Sequence, residues 1–188
     1  MFTEVAYADG VYKLHSNGVV EFPVPPLDSI VKALARECRF GGHTFKFYSV
    51  AEHSVNCAGR VWEISKDPIQ ALQALWHECA EGLGFRDING PLKHGYGKRL
   101  SKAENYVIKT VFTDYLRLPY PYSELVKGVD LEYAAVEGVT LVPRAAAAFK
   151  QIDPGWRVRF ECWDFGTAEQ RFWEKHWELS ELRVDNPK

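Results

Sequence analysis

Apolar side chains recur every three or four positions through most of this chain, which is the spacing of amphipathic α-helices. The pattern predicts six helices, over about residues 30–38, 50–62, 68–82, 98–118, 123–140 and 167–183. A run of alanines at 145–148 indicates a further short helix. The hydrophobic pattern therefore predicts an all-α fold, in which helices bury their apolar faces against one another.

Alternation of apolar and polar residues, which is typical of strands, occurs in two short stretches. Residues 11–22 flank the pair Asn17-Gly18, a strong signal for a hairpin turn. Residues 156–162 alternate aromatic or apolar side chains with charged ones, which predicts a strand that could pair with this hairpin. The expected architecture is a helical bundle with a small β-hairpin appendage.

The helix predicted over residues 68–82 carries titratable groups beside its apolar face. His77, Glu78 and Glu81 place one imidazole and two carboxylates within about one helical turn. His77 and Glu81 are four residues apart and would share a face of the helix. Taken alone, such a group is more often a solvated helix edge than a metal site. The zinc-protease pattern His-Glu-x-x-His fails here, because position 81 is glutamate.

Further candidate residues lie on other predicted segments. His53 follows the capping-box sequence that starts at Ser49. Asp130 lies in mid-helix among apolar neighbours, so it is either a buried acid that needs a cation or an exposed acid beside Lys127. Arg39 precedes a Gly-Gly bend and is well shaped to hold a phosphate, with a surface salt bridge as the simpler alternative.

Composition narrows the classes of protein that fit. The chain has 188 residues, 46% hydrophobic content and a net charge of −2, which suits one domain without a basic surface for a nucleic-acid polymer. No apolar run approaches the roughly 20 residues that span a bilayer, and the N-terminus lacks the pattern of a signal peptide. The four cysteines show no CxxC spacing and are expected to be reduced core residues of a cytoplasmic protein.

The ordered set His53, His77-Glu78 and Asp130, on three different predicted helices, resembles the metal ligands of the HD-domain phosphohydrolase superfamily. Those helical enzymes bind a divalent metal with a His, an adjacent His-Asp pair and a distant Asp. The likeness covers about residues 10–140 and is carried by residues 38–44, 47–55, 91–93 and 126–130. The segments are similar to small HD proteins of bacteriophages, some of which look like dATP triphosphohydrolases, and to bacterial deoxynucleoside 5′-monophosphatases.

The resemblance implies one HD-type phosphohydrolase domain over residues 1–188. Its core would occupy about residues 25–142, followed by an aromatic C-terminal extension at about 150–188. It also implies a homo-oligomer that acts on a small-molecule deoxynucleotide in the cytoplasm, which would be the host cytoplasm if the chain is phage-encoded. No membrane or nucleic-acid polymer is expected as a partner.

By the same resemblance, four residues would hold a divalent metal ion, namely His53, His77, Glu78 and Asp130. The expected ion is a transition metal (cobalt, manganese or zinc) or magnesium. The metal would polarise a phosphate and lower the pKa of a water molecule. Glu81 would orient or deprotonate that nucleophilic water.

Five residues are implied to contact the substrate, namely Arg39, Phe40, His43, Asp87 and Lys93. Arg39 and Lys93 would hold phosphate oxygens, and Phe40 would shape the nucleoside pocket. Asp87 would accept a hydrogen bond from a sugar hydroxyl. His43 would make either a structural hydrogen bond or a phosphate contact.

One position departs from the family pattern, because Glu78 stands where the family has aspartate. Glu78 could ligate directly, ligate through water, or leave the metal weak or absent; retained ligation is favoured because the other metal and acid residues are present. The sequence thus predicts a metal-dependent phosphohydrolase that removes phosphate from dNTPs or dNMPs to give the deoxynucleoside. The alternative is a catalytically degenerate protein that binds nucleotides or acts as a scaffold.

Overall fold

The computed structural model describes residues 2–7, 10–15, 20–21, 26–85, 87, 98–149 and 159–184. Within these ranges lie six α-helices: α1 (Leu27–Arg36), α2 (Val50–Ser65), α3 (Pro68–Trp76), α4 (Lys98–Thr110), α5 (Glu124–Leu141) and α6 (Phe165–Val184). Short 3-10 turns lie at Arg39–Gly42, Glu81–Leu83 and Pro143–Ala148, and α4 continues as a π-helical turn at Val111–Tyr115. The predominantly helical fold that the periodicity predicts is confirmed. None of the described helices combines the length and apolar character that a membrane-spanning segment needs.

Three N-terminal strands form an antiparallel sheet in the order β1 (Phe2–Tyr7), β2 (Gly10–His15) and β3 (Val20–Glu21). Strands β2 and β3 pair with Lys13 opposite Glu21 and Leu14 opposite Val20. Apart from Gly10, these two strands fall within the segment 11–22. The turn predicted at Asn17-Gly18 lies outside the described residues. Strand β1 has no counterpart in the predicted elements.

Local capping chemistry sets the starts of three helices. The Ser49 side chain accepts a hydrogen bond from the N–H of Glu52 and caps α2. Asp67 caps α3 in the same way, immediately before Pro68, and Ser123 caps α5. Each cap satisfies a backbone donor that the first helical turn leaves without an intrahelical partner.

Helix α3 lies in the core of the bundle, where it packs against α2, α5 and α6. Trp76 at its end is fully buried, with its ring 4.9 Å from that of Phe172. The Trp76 indole N–H donates to His176 Nδ1 at 3.2 Å, so the His176 ring packs against the end of α3. Burial lowers the pKa of His176 to about 4, so this ring is neutral at physiological pH.

The strand predicted over residues 156–162 is wrong in its described part, because residues 159–162 form no strand. The buried Glu52 carboxylate instead accepts the backbone N–H groups of Glu161, Cys162 and Trp163 at 3.0, 3.0 and 2.7 Å. A carboxylate that takes three successive donors leaves none of them for a neighbouring strand. The segment is thereby tied to α2 rather than to the N-terminal sheet.

The prediction that α3 continues to residue 82 is also wrong, since the helix ends at Trp76. The Nδ1 atom of His77 lies 2.6 Å from the carbonyl oxygen of Ala74, which would accept the N–H of Glu78 in a continuing α-helix. Beyond this point Glu81 N–H bonds to the Glu78 carbonyl at 2.9 Å, a three-residue step that is tighter than an α-helix. His77 and Glu81 therefore do not share a helical face.

The turn after α3 packs closely against α1. A Cβ atom added at Gly82 would lie 2.8 Å from the Ile30 carbonyl oxygen and 2.9 Å from Ile30 Cγ2. The backbone of Ile30 cannot move aside without shifting α1, so only glycine fits this contact without rearrangement. The position of the turn, and of the side chains on it, depends on this approach.

We expect Gly82→Ala to lower the free energy of unfolding by about 1–3 kcal/mol, because its methyl group overpacks the α1 contact. Gly128→Ala is the matched control, since a Cβ there meets nothing within 4 Å. In the interior of α5 that change should raise the free energy of unfolding by up to about 1 kcal/mol. Urea denaturation measures both, and equal effects of the two substitutions would contradict the close packing at Gly82.

Candidate metal centre

Three segments bring the four residues predicted as metal ligands into one group. Helix α2 provides His53, the turn after α3 provides His77 and Glu78, and α5 provides Asp130. One ligand atom from each lies within 4.8 Å of those of the other three. The Nε2 atoms of the two histidines are 3.4 Å apart, and Asp130 Oδ1 lies 3.2 Å from one and 3.6 Å from the other.

His77 is oriented by its contact with the end of α3. A carbonyl oxygen can only accept a hydrogen bond, so the 2.6 Å contact with Ala74 places the ring proton of a neutral His77 on Nδ1. Its Nε2 then carries a lone pair directed toward His53. The contact that ends the helix therefore also selects the tautomer that can bind a metal through Nε2.

His53 is oriented by a carboxylate on the opposite side of its ring. Its Nδ1 atom lies 2.8 Å from Glu137 Oε1, and both side chains are fully buried. A neutral His53 bonded in this way carries its proton on Nδ1 and directs the Nε2 lone pair toward His77. Two lone pairs facing each other repel, and a cation between them removes that repulsion.

The donor set fits a divalent transition metal. Imidazole nitrogens suit zinc, copper, iron and nickel, and carboxylates accept a wide range of divalent ions. A histidine that gives its second N–H to a carboxylate or carbonyl is the usual arrangement at protein metal sites. Both histidines here meet that condition, so the buried group formed by His53, His77, Glu78 and Asp130 could hold a metal ion.

The electrostatics of the group favour positive charge. Burial and the Arg39 charge lower the pKa of His53, yet the interactions with Cys57, Glu137 and Asp130 outweigh them and hold this pKa well above its ordinary value. Burial opposes ionisation of Asp130, but hydrogen bonds to His53 and His77 hold its carboxyl pKa well below the usual range. A proton at His53 therefore competes for the place where a metal cation would bind.

Glu78 contacts both the histidines and an arginine through one oxygen. Its Oε1 atom lies 3.6 Å from His77 Nε2, 3.9 Å from His53 Nε2 and 3.1 Å from Arg39 Nη1. The carboxylate is therefore within reach of a metal at the centre of the group. Arg39 and such a metal would share this oxygen, which gives Glu78 two competing cationic partners.

Arg39, predicted to hold phosphate, lies beside the group with only 5% of its surface exposed. Its Nη2 atom is 3.2 Å from Glu137 Oε2, and its Nη1 atom is 3.8 Å from Asp87 in addition to its contact with Glu78. Burial lowers the pKa of the Arg39 guanidinium, but the charges of Glu137, Asp87, Glu78 and the buried Glu81 outweigh this effect and raise that pKa. Arg39 is thus a buried cation that interacts with several carboxylates.

The other predicted substrate residues are placed differently. Phe40 has a left-handed backbone (φ 56°), and its N–H donates to the Asp87 carboxylate. Its ring makes an edge-to-face contact with Phe149 at 5.5 Å. His43 is exposed and lines a cavity of about 490 Å³ between residues 43–45 and the segment 142–145 that follows α5. This cavity is not lined by His53 or His77. Lys93 lies outside the described residues.

Sequence reasoning missed Glu137, although the signal for it was present. Glu137 follows Asp130 by seven residues, which is about two turns of α5, so both side chains lie on the same face. A second acid at that spacing in an apolar helix indicates a partner on the facing helix. Tyr48, whose hydroxyl donates to Glu137 Oε1 at 2.7 Å, carries no comparable signal.

Cys57 gives a second donor combination with His53 and His77. Its sulfur lies 3.6 Å from His53 Nε2, one helical turn along α2. Burial raises the pKa of the Cys57 thiol to about 11, so the thiolate that would bind a metal is scarce at neutral pH. The set with Glu78 and Asp130 therefore fits a metal better.

The comparisons with known proteins identify a relative without a described activity. No protein-family model matches the chain. The uncharacterized protein YfdR of Escherichia coli (strain K12) is 35% identical to it over 114 residues. This similarity covers 59% of the chain and 58% of YfdR, so the matched part spans less than two thirds of that protein. The case for a function therefore rests on the chemistry of the site.

We expect Asp130→Asn to weaken cobalt binding at least about tenfold, because the substitution removes a charged donor from between the two histidines. Titration with Co²⁺, followed by visible absorption, measures the affinity. Asp114→Asn is the matched control, since Asp114 is exposed on the π-helical turn. Binding to the unsubstituted chain should also weaken as pH falls, because a protonated imidazole cannot ligate. Equal affinities of the two variants would argue against the assigned ligand set.

Proposed function

We propose that this protein is a metal-dependent phosphohydrolase that removes phosphate from deoxynucleotides. The observation that carries the proposal is the pair of buried histidines, whose Nε2 atoms face each other at 3.4 Å while each Nδ1 is held by an acceptor. With Asp130 and Glu78 beside them, they match in kind and order the ligands of the HD-domain phosphohydrolases, apart from glutamate at position 78. The substrate class comes from that resemblance.

The metal would be held by His53, His77, Glu78 and Asp130, and cobalt, manganese, zinc or magnesium are the candidate ions. When bound, such an ion supplies Lewis acidity toward a phosphate oxygen and a lowered pKa for water. The protein contributes the orientation of the two imidazoles, which the Ala74 carbonyl and Glu137 fix before any ligand arrives. This preorganisation reduces the free-energy cost of assembling the site.

The charge balance around Arg39 supports a requirement for metal. Four carboxylates act on Arg39, namely Glu137, Asp87, Glu78 and Glu81, and Asp130 adds a fifth beside the histidines. When both histidines are neutral, the net charge of Arg39 and these five carboxylates is strongly negative. Such a site repels a phosphate anion. A divalent cation offsets part of that charge, so phosphate binding should follow metal binding.

The remaining residues are assigned roles within the same proposal. Glu81 orients or deprotonates the attacking water, since it is a carboxylate buried close to Arg39. Arg39 and Lys93 hold phosphate oxygens, provided that Arg39 exchanges a carboxylate partner for the substrate. Phe40 and Asp87, which are linked by a hydrogen bond from the Phe40 N–H to the Asp87 carboxylate, border the nucleoside side of the site.

A second candidate function is nucleotide binding without turnover. The observation that favours it is the ion pair between Arg39 Nη1 and Glu78 Oε1 at 3.1 Å, in which an internal cation already neutralises a predicted metal ligand. If Arg39 retains Glu78, three predicted ligands remain for the metal and its affinity falls. Such a protein would bind nucleotides and be stabilised by them without releasing phosphate.

Phosphate release from a panel of dNMPs and dNTPs tests the proposal directly. We expect release that is abolished by EDTA and restored by cobalt or manganese, because the site requires a cation. Asp130→Asn should lose this activity and Asp114→Asn should keep it. Folded protein that releases no phosphate with any of the four metals would overturn the hydrolase and favour the binding-only function.

The role of Glu78 can be tested by shortening its side chain. We expect Glu78→Asp to raise cobalt affinity several-fold, because the shorter carboxylate competes less for Arg39 and restores the family's His-Asp pair. Glu63→Asp, at an exposed position on α2, is the matched control. Unchanged or weaker cobalt binding by Glu78→Asp, measured by the same titration, would show that the Arg39 contact does not limit metal affinity.

A further inference from the structure

The carboxylate of Glu137 on α5 connects three side chains in the interior of the bundle. It is fully buried and accepts from His53 Nδ1 at 2.8 Å, from the Tyr48 hydroxyl at 2.7 Å and from Arg39 Nη2 at 3.2 Å. Its Oε1 atom takes His53 and Tyr48, and its Oε2 atom takes Arg39. An ionised carboxylate has about four lone-pair directions, so it can accept all three hydrogen bonds together.

We propose that Glu137 is a positioning residue that fixes the metal-binding tautomer of His53 and holds Arg39 at the edge of the same site. It acts through these two side chains and not by touching the metal or the substrate. The His53 part requires only that the site binds a metal. The Arg39 part rests on the proposed function, in which that guanidinium meets a phosphate.

The tautomer argument follows from what each group can donate. If His53 carried its proton on Nε2, its Nδ1 lone pair would face the carboxylate, and two acceptors would meet in the interior. The proton would also stand between His53 and His77, where a metal must bind. With Glu137 ionised, both costs are avoided only when the proton is on Nδ1.

Arg39 makes Glu137 hard to replace by its amide. A guanidinium only donates, so a glutamine at position 137 must turn its oxygen toward Arg39. Its NH2 group then faces His53 Nδ1 and donates to it, which forces the proton to Nε2. Exchange of a carboxylate for an amide beside a histidine is known to impose the wrong tautomer in catalytic triads, with little change in geometry.

Tyr48 provides a control within the same network. Its hydroxyl accepts from Asn56 Nδ2 at 3.1 Å and donates to Glu137, but no described contact joins it to His53. Tyr48→Phe removes one of the three donors and leaves the His53 and Arg39 contacts with the carboxylate in place. If Glu137 acts by setting the tautomer, this variant should lose stability without a matching loss of metal affinity.

The experiment compares the unsubstituted chain, Glu137→Gln and Tyr48→Phe by Co²⁺ titration of the folded proteins. We expect Glu137→Gln to bind cobalt about 10- to 100-fold more weakly, the usual effect of removing a hydrogen-bond partner of a ligating histidine. Tyr48→Phe should stay within about threefold of the unsubstituted chain. Equal cobalt affinity in all three proteins, or equal losses in both variants, would overturn the proposal.

A second measurement uses only the unsubstituted protein, so it does not depend on whether a variant folds. In the zinc-loaded unsubstituted protein, 15N NMR of the histidine rings should show His53 with a proton on Nδ1 and Nε2 bound to the metal. A proton on Nε2 of His53, or zinc bound through Nδ1, would overturn the proposal. Both measurements omit substrate, so they stand even if no phosphate release is found.

Discussion

Two imidazole rings meet inside this helical bundle with their Nε2 atoms 3.4 Å apart, and the surrounding structure is arranged around that contact. Left neutral, the rings would direct lone pairs at each other in a region where water cannot separate them. Ala74 and Glu137 hold the opposite ring nitrogens in place, so the rings cannot relieve the repulsion by turning. Asp130 completes a group that attracts a cation of either kind, a proton or a metal.

The contact between His77 Nδ1 and the Ala74 carbonyl explains why α3 ends at Trp76. The His77 side chain takes the Ala74 carbonyl that would continue α3, so the helix ends immediately before this predicted metal ligand. The tighter turn that follows directs Glu78 toward the histidines and carries Gly82 against α1, where no larger residue fits. The orientation of the His77 ring and the end of α3 thus have one cause, because the His77 side chain competes with the backbone for the Ala74 carbonyl.

The second feature of the site is the group of carboxylates around the buried Arg39. Arg39 is nearly buried, yet it is bonded to Glu78 and Glu137 and acted on by Asp87 and Glu81. A buried cation needs such partners, and here they include one predicted metal ligand and the carboxylate that orients another. In the proposed function, a metal would compete with Arg39 for the Glu78 oxygen, and a phosphate would compete with the carboxylates for Arg39. The balance among them, and not any single residue, would decide between hydrolysis and binding alone.

The helical class, the helix starts at Ser49, Asp67 and Ser123, and a short set of candidate ligands could be predicted from the amino-acid sequence. The helices and their starts depend on periodicity and on capping side chains, which are local in the chain. The candidate ligands depend on a resemblance in residue type and order to the HD-domain phosphohydrolases. The folded structure was needed to show where α3 ends, that the N–H groups of residues 161–163 bond to Glu52, and that Glu137 lies behind His53. Each of those outcomes is a competition for a hydrogen-bond partner, often between groups distant in the chain. Which group wins depends on the distances between groups in the folded chain, and the order of residues in the sequence does not contain those distances.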